Sequence, residues 1–427
     1  MENLSFEEAR DTILRRVSPI GIVQERLLDC LHRVAAEDVA APLNLPSFEN
    51  SAMDGFAVPF AEGDKPTAFS IVGFVPAGET SPIHVDPGTA IRIMTGAPVP
   101  QGCDTVIPFE DVDEFDSTIR LKPGADILPG RHIRRAGEDV KQGNTVLTSG
   151  TVIGVAEICM LASLGRTSLR VYRKPQVAIL ATGDELVAPG EPLTPGKVFD
   201  CNSQALAAAV IEAGAAPVIL GIARDDRESL KAKLAEGLNA DVLLTVAGVS
   251  VGDRDLVRPI LEELGVKQEF WKVKIKPGKA FAFGLKEGKP VFSLPGNPVS
   301  ALVVFEEFLR PALLRMMGHR RVLKRPLTAV LQQEIGKKKG RVFFSRLRLE
   351  HADGILQAWS AGKQDTGSLS TMLNADALAV FPEDGTQFSV GDQVLIHALS
   401  NRFDMMEPFE EGIFPEVPSA YPSALSR

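Results

Sequence analysis

The spacing of apolar residues changes along the chain, and each change predicts a different kind of structure. Near the N-terminus, apolar residues recur every three or four positions from Leu4 to Val17 and again from Leu27 to Val34. Residues at these intervals lie on one face of a helix, so the segment predicts two helices. From about residue 42 to residue 141, short β-prone runs alternate with Gly and Pro, which predicts a compact, mostly β domain. A further helix is predicted from Gly154 to Gly165.

Between residues 174 and 321, strand-like and helical runs alternate. The strand-like runs QVAIL, APVILGI and ADVLLTV are each followed by a helical run, which is typical of a parallel sheet with right-handed crossovers. A hairpin, KAFAFGL and PVFSL around the turn KEGK, and a helix from Pro298 to about Met317 complete this region. Beyond residue 325, the runs LTAVLQQ, RVFFSRLRLE, ILQAWS and DQVLIHAL predict a small β domain.

These patterns predict a multidomain protein of the α/β and β class. The central part is a three-layer α/β domain with a mostly parallel sheet, and a mostly β domain is inserted before it. The predicted domains are a helical N-terminal domain (1–44 with 141–173), the inserted β domain (45–140), the α/β domain (174–321) and a C-terminal β-barrel-like domain (322–400). Residues 401–427 are rich in Pro, Glu and Ser and predict a flexible tail.

Charge and composition narrow the class of protein. The formal net charge of −9 argues against a nucleic-acid-binding protein. No apolar run reaches the roughly 18–20 residues of a membrane span, and the acidic, amphipathic N-terminus differs from a signal peptide, so we expect a cytoplasmic protein. The four cysteines are scattered without a CxxC pair, which predicts free thiols and no zinc site. A metal would therefore sit among oxygen ligands, which favours magnesium.

The segment LPGNPVSA follows the strand-like run VFS directly. Pro295 and Gly296 predict a tight turn, Asn297 is a favoured helix N-cap, and Pro298 suits the first helical position. A helix that begins at the carboxyl edge of a sheet offers free N–H groups to an anion. The same residues also suit a helix that is capped only for packing, and the sequence leaves both interpretations open.

Three more loops are predicted at this edge, because the carboxyl ends of parallel strands meet there. Their glycine, hydroxyl and carboxylate groups are Thr182, Gly183, Asp184 and Glu185, then Asp225 and Asp226, then Gly248, Ser250, Gly252, Asp253 and Asp255. Glycine N–H groups and hydroxyls bind phosphate, and carboxylates hold a magnesium ion that does so. Single acidic loop residues are often helix caps, and Asp226 is predicted to be one. Together the loops favour a phosphorylated ligand.

The segment FWKVKIKPGKAF adds positive charge. Lys272, Lys274 and Lys276 alternate, so an extended chain would place them on one face, and Lys279 follows a Pro-Gly turn. The segment is either a solvated strand or part of a site for a small oxyanion. No Ser–His–Asp or Cys–His arrangement, P-loop or dinucleotide fingerprint is present in the sequence.

Seven motifs carry a resemblance to a known family: PSFENSAMDGFAV, IRIMTGAPVP, HIRRAGEDV, ATGDEL, GVSVGDRD, IKPGKAFAFG and LPGNPVSA. The chain resembles the molybdopterin molybdenumtransferases, the molybdenum insertases of molybdenum cofactor synthesis, whose relatives include the E domain of gephyrin. The resemblance extends from about residue 5 to about residue 400.

The resemblance implies an elongated homodimer of four-domain subunits. It also implies a reaction in which adenylylated molybdopterin and molybdate, with Mg²⁺, give molybdenum cofactor and AMP. The active site would lie between the α/β domain of one subunit and the inserted β domain of the other. Molybdopterin adenylyltransferase and molybdoenzyme maturation proteins are the partners that the resemblance suggests.

The resemblance also assigns roles to individual positions. The implied catalytic residues are Asp54, Thr95, Glu185, Asp225, Asp255, Lys276 and Lys279. The implied metal ligands are Asp184, Glu185, Asp225 and Asp255. The implied ligand-binding residues are Asp139, Thr182, Gly183, Asp184, Gly248, Ser250, Gly252, Lys272, Pro295, Gly296, Asn297, Pro298, Arg346, Ser370 and Thr371.

One loop departs from the family pattern. Where Ser-Gly-Gly is usual, this chain has Val246, Ala247 and Gly248, and the Cβ of Ala247 is expected to restrict the approach of a phosphate. Three other functions are weighed against the insertase: a pterin-binding adenylyltransferase, which would need only residues 175 to 317, a non-enzymatic scaffold of the gephyrin type, and a paralogue that inserts tungsten. The sequence does not separate molybdate from tungstate.

Overall fold

A computed structural model describes residues 2–59, 66–125, 128–247, 256–352 and 354–399. The candidate residues Gly248, Ser250, Gly252 and Asp255, and the predicted tail 401–427, lie outside the described residues. The chain divides into two compact units, one of residues 22–171 and the other of residues 1–21 with 172–427. The finer division into four domains stays a prediction.

Strands predominate over helices in the described part of the chain. Its α-helices are α1 (Phe6–Arg16), α2 (Val155–Ser163), α3 (Cys201–Glu212), α4 (Arg227–Gly237), α5 (Val257–Glu263), α6 (Pro298–Val304), α7 (Arg310–Met316) and α8 (Ser370–Leu373). Its strands up to residue 172 are β1 (Glu2–Leu4), β2 (Ile22–Arg26), β3 (Val39–Ala40), β4 (Asn50–Ser51), β5 (Gly55–Val58), β6 (Ala68–Val75), β7 (Thr89–Ile93), β8 (Thr105–Pro108), β9 (Val112–Phe115), β10 (Thr118–Leu121), β11 (Ile133–Arg134), β12 (Thr145–Leu147) and β13 (Ser168–Tyr172). The later strands are β14 (Gln176–Thr182), β15 (Leu186–Val187), β16 (Val198–Phe199), β17 (Ala216–Ala223), β18 (Val242–Val246), β19 (Lys267–Val273), β20 (Ile275–Lys276), β21 (Ala282–Lys286), β22 (Lys289–Leu294), β23 (Leu327–Leu331), β24 (Ile335–Gly336), β25 (Val342–Ala352), β26 (Ile355–Ser360), β27 (Ala377–Phe381), β28 (Gln387–Phe388) and β29 (Gln393–Ala398).

The predicted α/β domain is confirmed as a three-layer arrangement. Its seven-stranded sheet has the order β1-β19-β21-β22-β18-β14-β17, and β22, β18, β14 and β17 run parallel. Residues of α1, α3, α6 and α7 share one core with the sheet, and residues of α4 and α5 share a second core with it. The carboxyl ends of the parallel strands therefore meet at one edge, as the sequence predicted.

The C-terminal domain is a closed barrel of five strands. Its order is β25-β26-β23-β29-β27, and pairing of β25 with β27 closes the ring. The interior is apolar, with Leu331, Phe343 and Ile396 in its core. Strand β20 pairs in parallel with the start of β25 and joins the barrel to the α/β region. Strand β27, which completes the barrel, was not predicted from the sequence.

The unit of residues 22–171 is mostly β, and its main sheet lies within residues 45–140, where a mostly β structure was predicted. Its main sheet has the order β8-β5-β7-β6-β10-β9, and two small pairs, β3 with β12 and β2 with β13, lie with α2 around a separate core. The helix predicted from Leu27 to Val34 is wrong, since only a 3₁₀ turn forms at Leu27–Cys30. Leu28 is 74% exposed, so the apolar spacing there does not correspond to one buried face.

The predicted N-terminal helix is confirmed as α1. Ser5 and Glu8 form a capping box at its start, and Phe6 packs edge-on against Phe308 and Phe344. The helix predicted from Pro298 to Met317 is also confirmed, with a π-helical turn at Phe305–Leu309 between α6 and α7. Within the described ranges, no helix has the length and apolar character needed to cross a membrane.

Candidate functional site

Two acidic loops at the carboxyl edge of the sheet are joined by reciprocal hydrogen bonds. The N–H of Asp225 donates to Oδ1 of Asp184 at 3.2 Å, and the N–H of Asp184 donates to Oδ2 of Asp225 at 3.4 Å. Both residues are exposed, and the reciprocal bonds use one oxygen of each carboxylate. Asp226 caps α4 by accepting from the N–H of Ser229, which confirms the predicted cap. The two loops thus form one acidic surface.

Glu185 extends this surface because its carboxylate folds over a glycine. Gly183 has a φ of +144°, and a Cβ there would lie 2.5 Å from Oε2 of Glu185. The positive φ favours glycine at position 183, and a larger residue there would also displace the Glu185 carboxylate. The ammonium of Lys197, which the sequence analysis missed, donates to the carbonyl of Asp184. Thr182 is buried, and its hydroxyl donates to the carbonyl of Val246 at 3.3 Å, inside the sheet.

The donor chemistry of this surface fits a hard cation only in part. Over the described ranges, no group of three or more His, Cys, Asp or Glu side chains is placed to hold a metal ion. Magnesium needs only one or two carboxylates when substrate phosphates complete its shell. One or two of the carboxylates of Asp184, Glu185 and Asp225 fit that mode, whereas a metal cage built from protein alone is not present among the described residues. Asp255 lies outside the described residues.

The PGNP turn lies beside Ala247, the last described residue of the altered loop. Asn297 occupies the N-cap position of α6 and Pro298 begins the helix, but the Asn297 side chain makes no cap and instead donates to Oγ1 of Thr366 at 3.1 Å. Asn202, also missed from sequence, donates to the carbonyl of Gly296 at 2.7 Å. Ala247 has a φ of +71°, and a Cβ on Gly296 would lie 3.2 Å from its methyl group.

Arg346, on β25, is a charged residue that is buried completely. Its side chain is fully buried, and it donates from Nε to Thr371 Oγ1 at 2.8 Å and from Nη2 to the carbonyls of Lys363 and Asp365 at 3.0 and 2.9 Å. Nη1 is buried and has no partner in the described structure. Burial lowers the pKa of Arg346, and the charge of Asp365 opposes that shift. An unpartnered guanidinium nitrogen of this kind is suited to an anion.

One loop connects Arg346 to the PGNP turn. Arg346 binds the carbonyl of Asp365, and the next residue, Thr366, accepts from Asn297. The structure therefore associates three candidates from different regions of the sequence: Asn297, Arg346 and Thr371. The side chain of Ser370 is exposed at the start of α8.

The lysine segment is only partly as predicted. Exposed Lys274 and Lys276 alternate with buried Val273 and Ile275 along the chain. Lys272 has a φ of +65°, which interrupts this extended alternation. The Nζ atom of Lys272 lies 3.5 Å from the centre of the Trp271 ring. Lys279 is exposed after the turn at Gly278, where a Cβ would lie 2.6 Å from Val304.

Lys276 does not share a strand face with Arg346. It pairs with Phe343 in the sheet, and its Nζ lies 5.0 Å from the centre of that ring. Successive side chains of a strand project to opposite faces, so Phe343 and Arg346, three positions apart on β25, project in opposite directions. The predicted oxyanion ligands thus fall on two sides of β25.

In the unit of residues 22–171, three motifs converge around Ser51. Ser51 pairs with Ile133 of the HIRRAGEDV motif, and its carbonyl accepts from the N–H of Gly96 in the MTGAP motif. Asp54 Oδ1 accepts from both the N–H and the hydroxyl of Thr95, each at 2.7 Å. These bonds, the backbone one first, lower the pKa of Asp54.

The two implied residues Asp54 and Thr95 are therefore direct neighbours, and both are exposed. Asp139 is also exposed, and its N–H donates to the carbonyl of Leu45 at 3.1 Å. Its side chain lies in the loop that follows β11.

Among the described residues, one cavity of the α/β region has no residue of the acidic loops in its lining. It has a volume of about 970 Å³ and lies between α5 and the sheet, with Arg258, Trp271 and Ser293 among its lining residues. None of the described candidates belongs to this lining. A large volume alone does not make this cavity the site, because the carboxylates and the unpartnered guanidinium lie elsewhere.

Comparison with protein families matches three regions that together cover most of the chain. Residues 4–165 match the MoeA N-terminal region (domain I and II), residues 178–315 match a probable molybdopterin binding domain, and residues 328–399 match the MoeA C-terminal region (domain IV).

Relatives of similar length carry one name. The molybdopterin molybdenumtransferase of Haemophilus influenzae is 35% identical over 93% of this chain and 99% of its own length, and molybdopterin molybdenumtransferase 2 of Mycobacterium tuberculosis is 38% identical over 86% and 92%. The crystal structure of the molybdopterin biosynthesis MoeA protein from Pyrococcus horikoshii superposes with a TM-score of 0.78 at 30% identity, covering 93% of this chain and 100% of that one. The chain belongs to the MoeA family of molybdopterin molybdenumtransferases.

Proposed function

We propose that this protein transfers molybdenum from molybdate to adenylylated molybdopterin, which releases AMP and forms molybdenum cofactor. The names of its relatives support a transferase of molybdenum cofactor biosynthesis. The finer reaction is our inference, and it requires a site for an oxyanion and a site for a pyrophosphate.

The observation that carries the proposal is the buried guanidinium of Arg346. A buried guanidinium nitrogen without a hydrogen-bond partner is costly, and such a group is a candidate anion-binding site. Nη1 has no partner in the described structure, and the loop that Arg346 binds also contacts the PGNP turn. A tetrahedral dianion such as molybdate would accept from Nη1 and lie near Asn297 and Thr371.

The acidic loops would serve the other half of the reaction. With a pyrophosphate bound, one or two of the carboxylates of Asp184, Glu185 and Asp225 would hold magnesium together with the phosphate oxygens. The bound ion would supply positive charge that stabilises the negative charge developing on the phosphates. The reciprocal bonds between the Asp184 and Asp225 loops fix the positions of these carboxylates before the substrate arrives. Catalysis of this kind depends on positioning and electrostatics.

Asp54 and Thr95 are proposed to act on the active site of the other subunit of a dimer. We propose a homodimer in which this exposed pair completes the site on the α/β region of the second copy. The bonds from Thr95 keep Asp54 ionised and fix its carboxylate, so that the free oxygen Oδ2 is directed outward. The proposal explains why two exposed residues are held so firmly.

A single-turnover reaction tests this function. Purified protein is mixed with adenylylated molybdopterin and Mg²⁺, with or without molybdate, and AMP is followed by chromatography. We expect AMP release that requires molybdate, and a parallel reaction with tungstate ranks the two oxyanions. Release of AMP at the same rate without any oxyanion would contradict the coupling, and tight binding without release would favour the scaffold.

A further inference from the structure

The mouth of the C-terminal barrel forms a concavity lined almost entirely by cations. It has a volume of about 590 Å³, and its lining residues are Lys276, Gly336, Lys337, Lys338, Lys339, Arg341 and Phe343. The chain as a whole carries a net charge of −9, so this concentration of positive charge is opposite in sign to the rest of the protein. We call it the basic concavity.

The cations of the basic concavity are not neutralised within the described structure. Lys276, Lys338, Lys339 and Arg341 are exposed and form no ion pair with a described carboxylate. The charges of Asp384 and Glu383 act on Lys337, and Glu383 also pairs with Lys274 at 3.8 Å. Five cations thus face two carboxylates, one of which is already engaged.

The walls of the concavity are anchored. Lys337 donates to the carbonyls of Glu383 and Gly385 at 3.0 and 2.7 Å, which fixes the segment that carries Lys338 and Lys339. The floor is the buried ring of Phe343, which stacks with Phe381 and holds the Nζ atom of Lys276 over its face. Like charges held together on a fixed frame repel one another unless a counter-ion binds.

We propose that the basic concavity is a binding site for a tetrahedral dianion, either a free oxyanion or the phosphoryl group of a nucleotide. Lysine ammonium groups suit phosphate-like oxygens as point charges, and the volume lies within the range of small-molecule sites, roughly 300–1,000 Å³. The identity of the anion as molybdate or AMP rests on the proposed function, whereas the binding itself does not.

Charge reversal tests the site without turnover. We compare the wild-type protein with K338E/K339E, because both side chains are exposed and no described contact depends on them. The matched control is K174E/K286E, which changes the net charge equally at lysines outside the lining. Binding of molybdate, inorganic phosphate and AMP is measured by equilibrium dialysis at low and high salt, and thermal unfolding verifies the fold of each variant.

We expect K338E/K339E to weaken anion binding on the order of tenfold at low salt, with a smaller effect at high salt and none in the control. Loss of the molybdate and phosphate bound in addition to the anion assigned to Arg346 would assign the site to free oxyanions, and loss of AMP binding alone would assign it to nucleotides. Equal affinities in wild type, variant and control would overturn the proposal, as would absence of any binding to the wild type. If the wild-type protein binds the anion but never releases AMP from adenylylated molybdopterin, the proposed function is contradicted and the anion-binding site is not.

Discussion

Two single residues, Arg346 and Asp54, are central to the proposed site, because each has a charged group placed to bind a ligand. Arg346 is buried with an unpartnered nitrogen, whereas Asp54 is exposed and held by two hydrogen bonds from one neighbour. The first arrangement is suited to receive an anion, and the second keeps a carboxylate ionised and oriented. Both can be tested by single substitutions.

Arg346→Gln should lower turnover about 100-fold and raise the KM for molybdate, because a donor to the oxyanion is lost. It should also lower the free energy of unfolding by about 1–3 kcal/mol, since buried carbonyls lose their partner. Arg348→Gln on the same strand is the control, because Arg348 is exposed and its ion pair with Glu350 is long at 3.8 Å. Equal kinetics in the two variants would remove Arg346 from the site.

The carboxyl of Asp54 should titrate below the ordinary aspartate pKa of about 3.9. Since its folded pKa is lowered, its contribution to stability is present above the unfolded pKa and is lost as the pH falls through the folded pKa. In Thr95→Val the pKa should rise only partway, because the backbone N–H of residue 95 remains. Carbon-13 NMR of the carboxyl measures both midpoints, and an unchanged midpoint in the variant would contradict the assignment.

At the scale of elements, strand ends and helix starts decide where the chemistry lies. The candidates Glu185, Asp225 and Asn297 were predictable because the alternation of strands and helices places their loops at one edge of a parallel sheet. The sequence did not predict the roles of Asn202, Lys197 and Thr366, because these roles depend on contacts with other segments of the chain. The prediction of a helix from Leu27 to Val34 was wrong, because apolar spacing does not reveal which side chains a neighbouring element covers.

Ala247→Gly tests the loop that departs from the family pattern. A left-handed conformation costs a non-glycine residue roughly 1–2 kcal/mol, and glycine gives back about 0.4–1 kcal/mol through the entropy of the unfolded chain. We therefore expect unfolding free energy to stay equal or rise by up to about 1 kcal/mol, and affinity for adenylylated molybdopterin to rise or stay unchanged. Marked loss of affinity would show that the methyl group is an adaptation.

Ser5→Ala should lower the free energy of unfolding by about 1 kcal/mol, because it removes the capping box of α1. Ser18→Ala, at an exposed serine beyond the helix, should change it by less than about 0.5 kcal/mol. Chemical denaturation of both variants measures the difference. Equal stability would mean that the packing of Phe6, and not the cap, holds α1 in place.

At the scale of the whole molecule, the proposed homodimer predicts complementation between two inactive variants. Asp54→Ala and Glu185→Ala should each have little activity and remain folded. After subunit exchange, half of the dimers are mixed, and each mixed dimer has one intact site of two, so about a quarter of wild-type activity should return. If both residues serve the site of their own subunit, the mixture stays as inactive as its parts.

The most direct test of the central claim follows both products of one reaction. In a single turnover with adenylylated molybdopterin, Mg²⁺ and molybdate, AMP and pterin-bound molybdenum are measured at the same time points. If insertion is coupled to cleavage, AMP and pterin-bound molybdenum rise with one rate constant and in equal amounts. AMP that accumulates without molybdenum in the pterin would contradict it, and the protein would then be a hydrolase of the adenylylated pterin instead of an insertase.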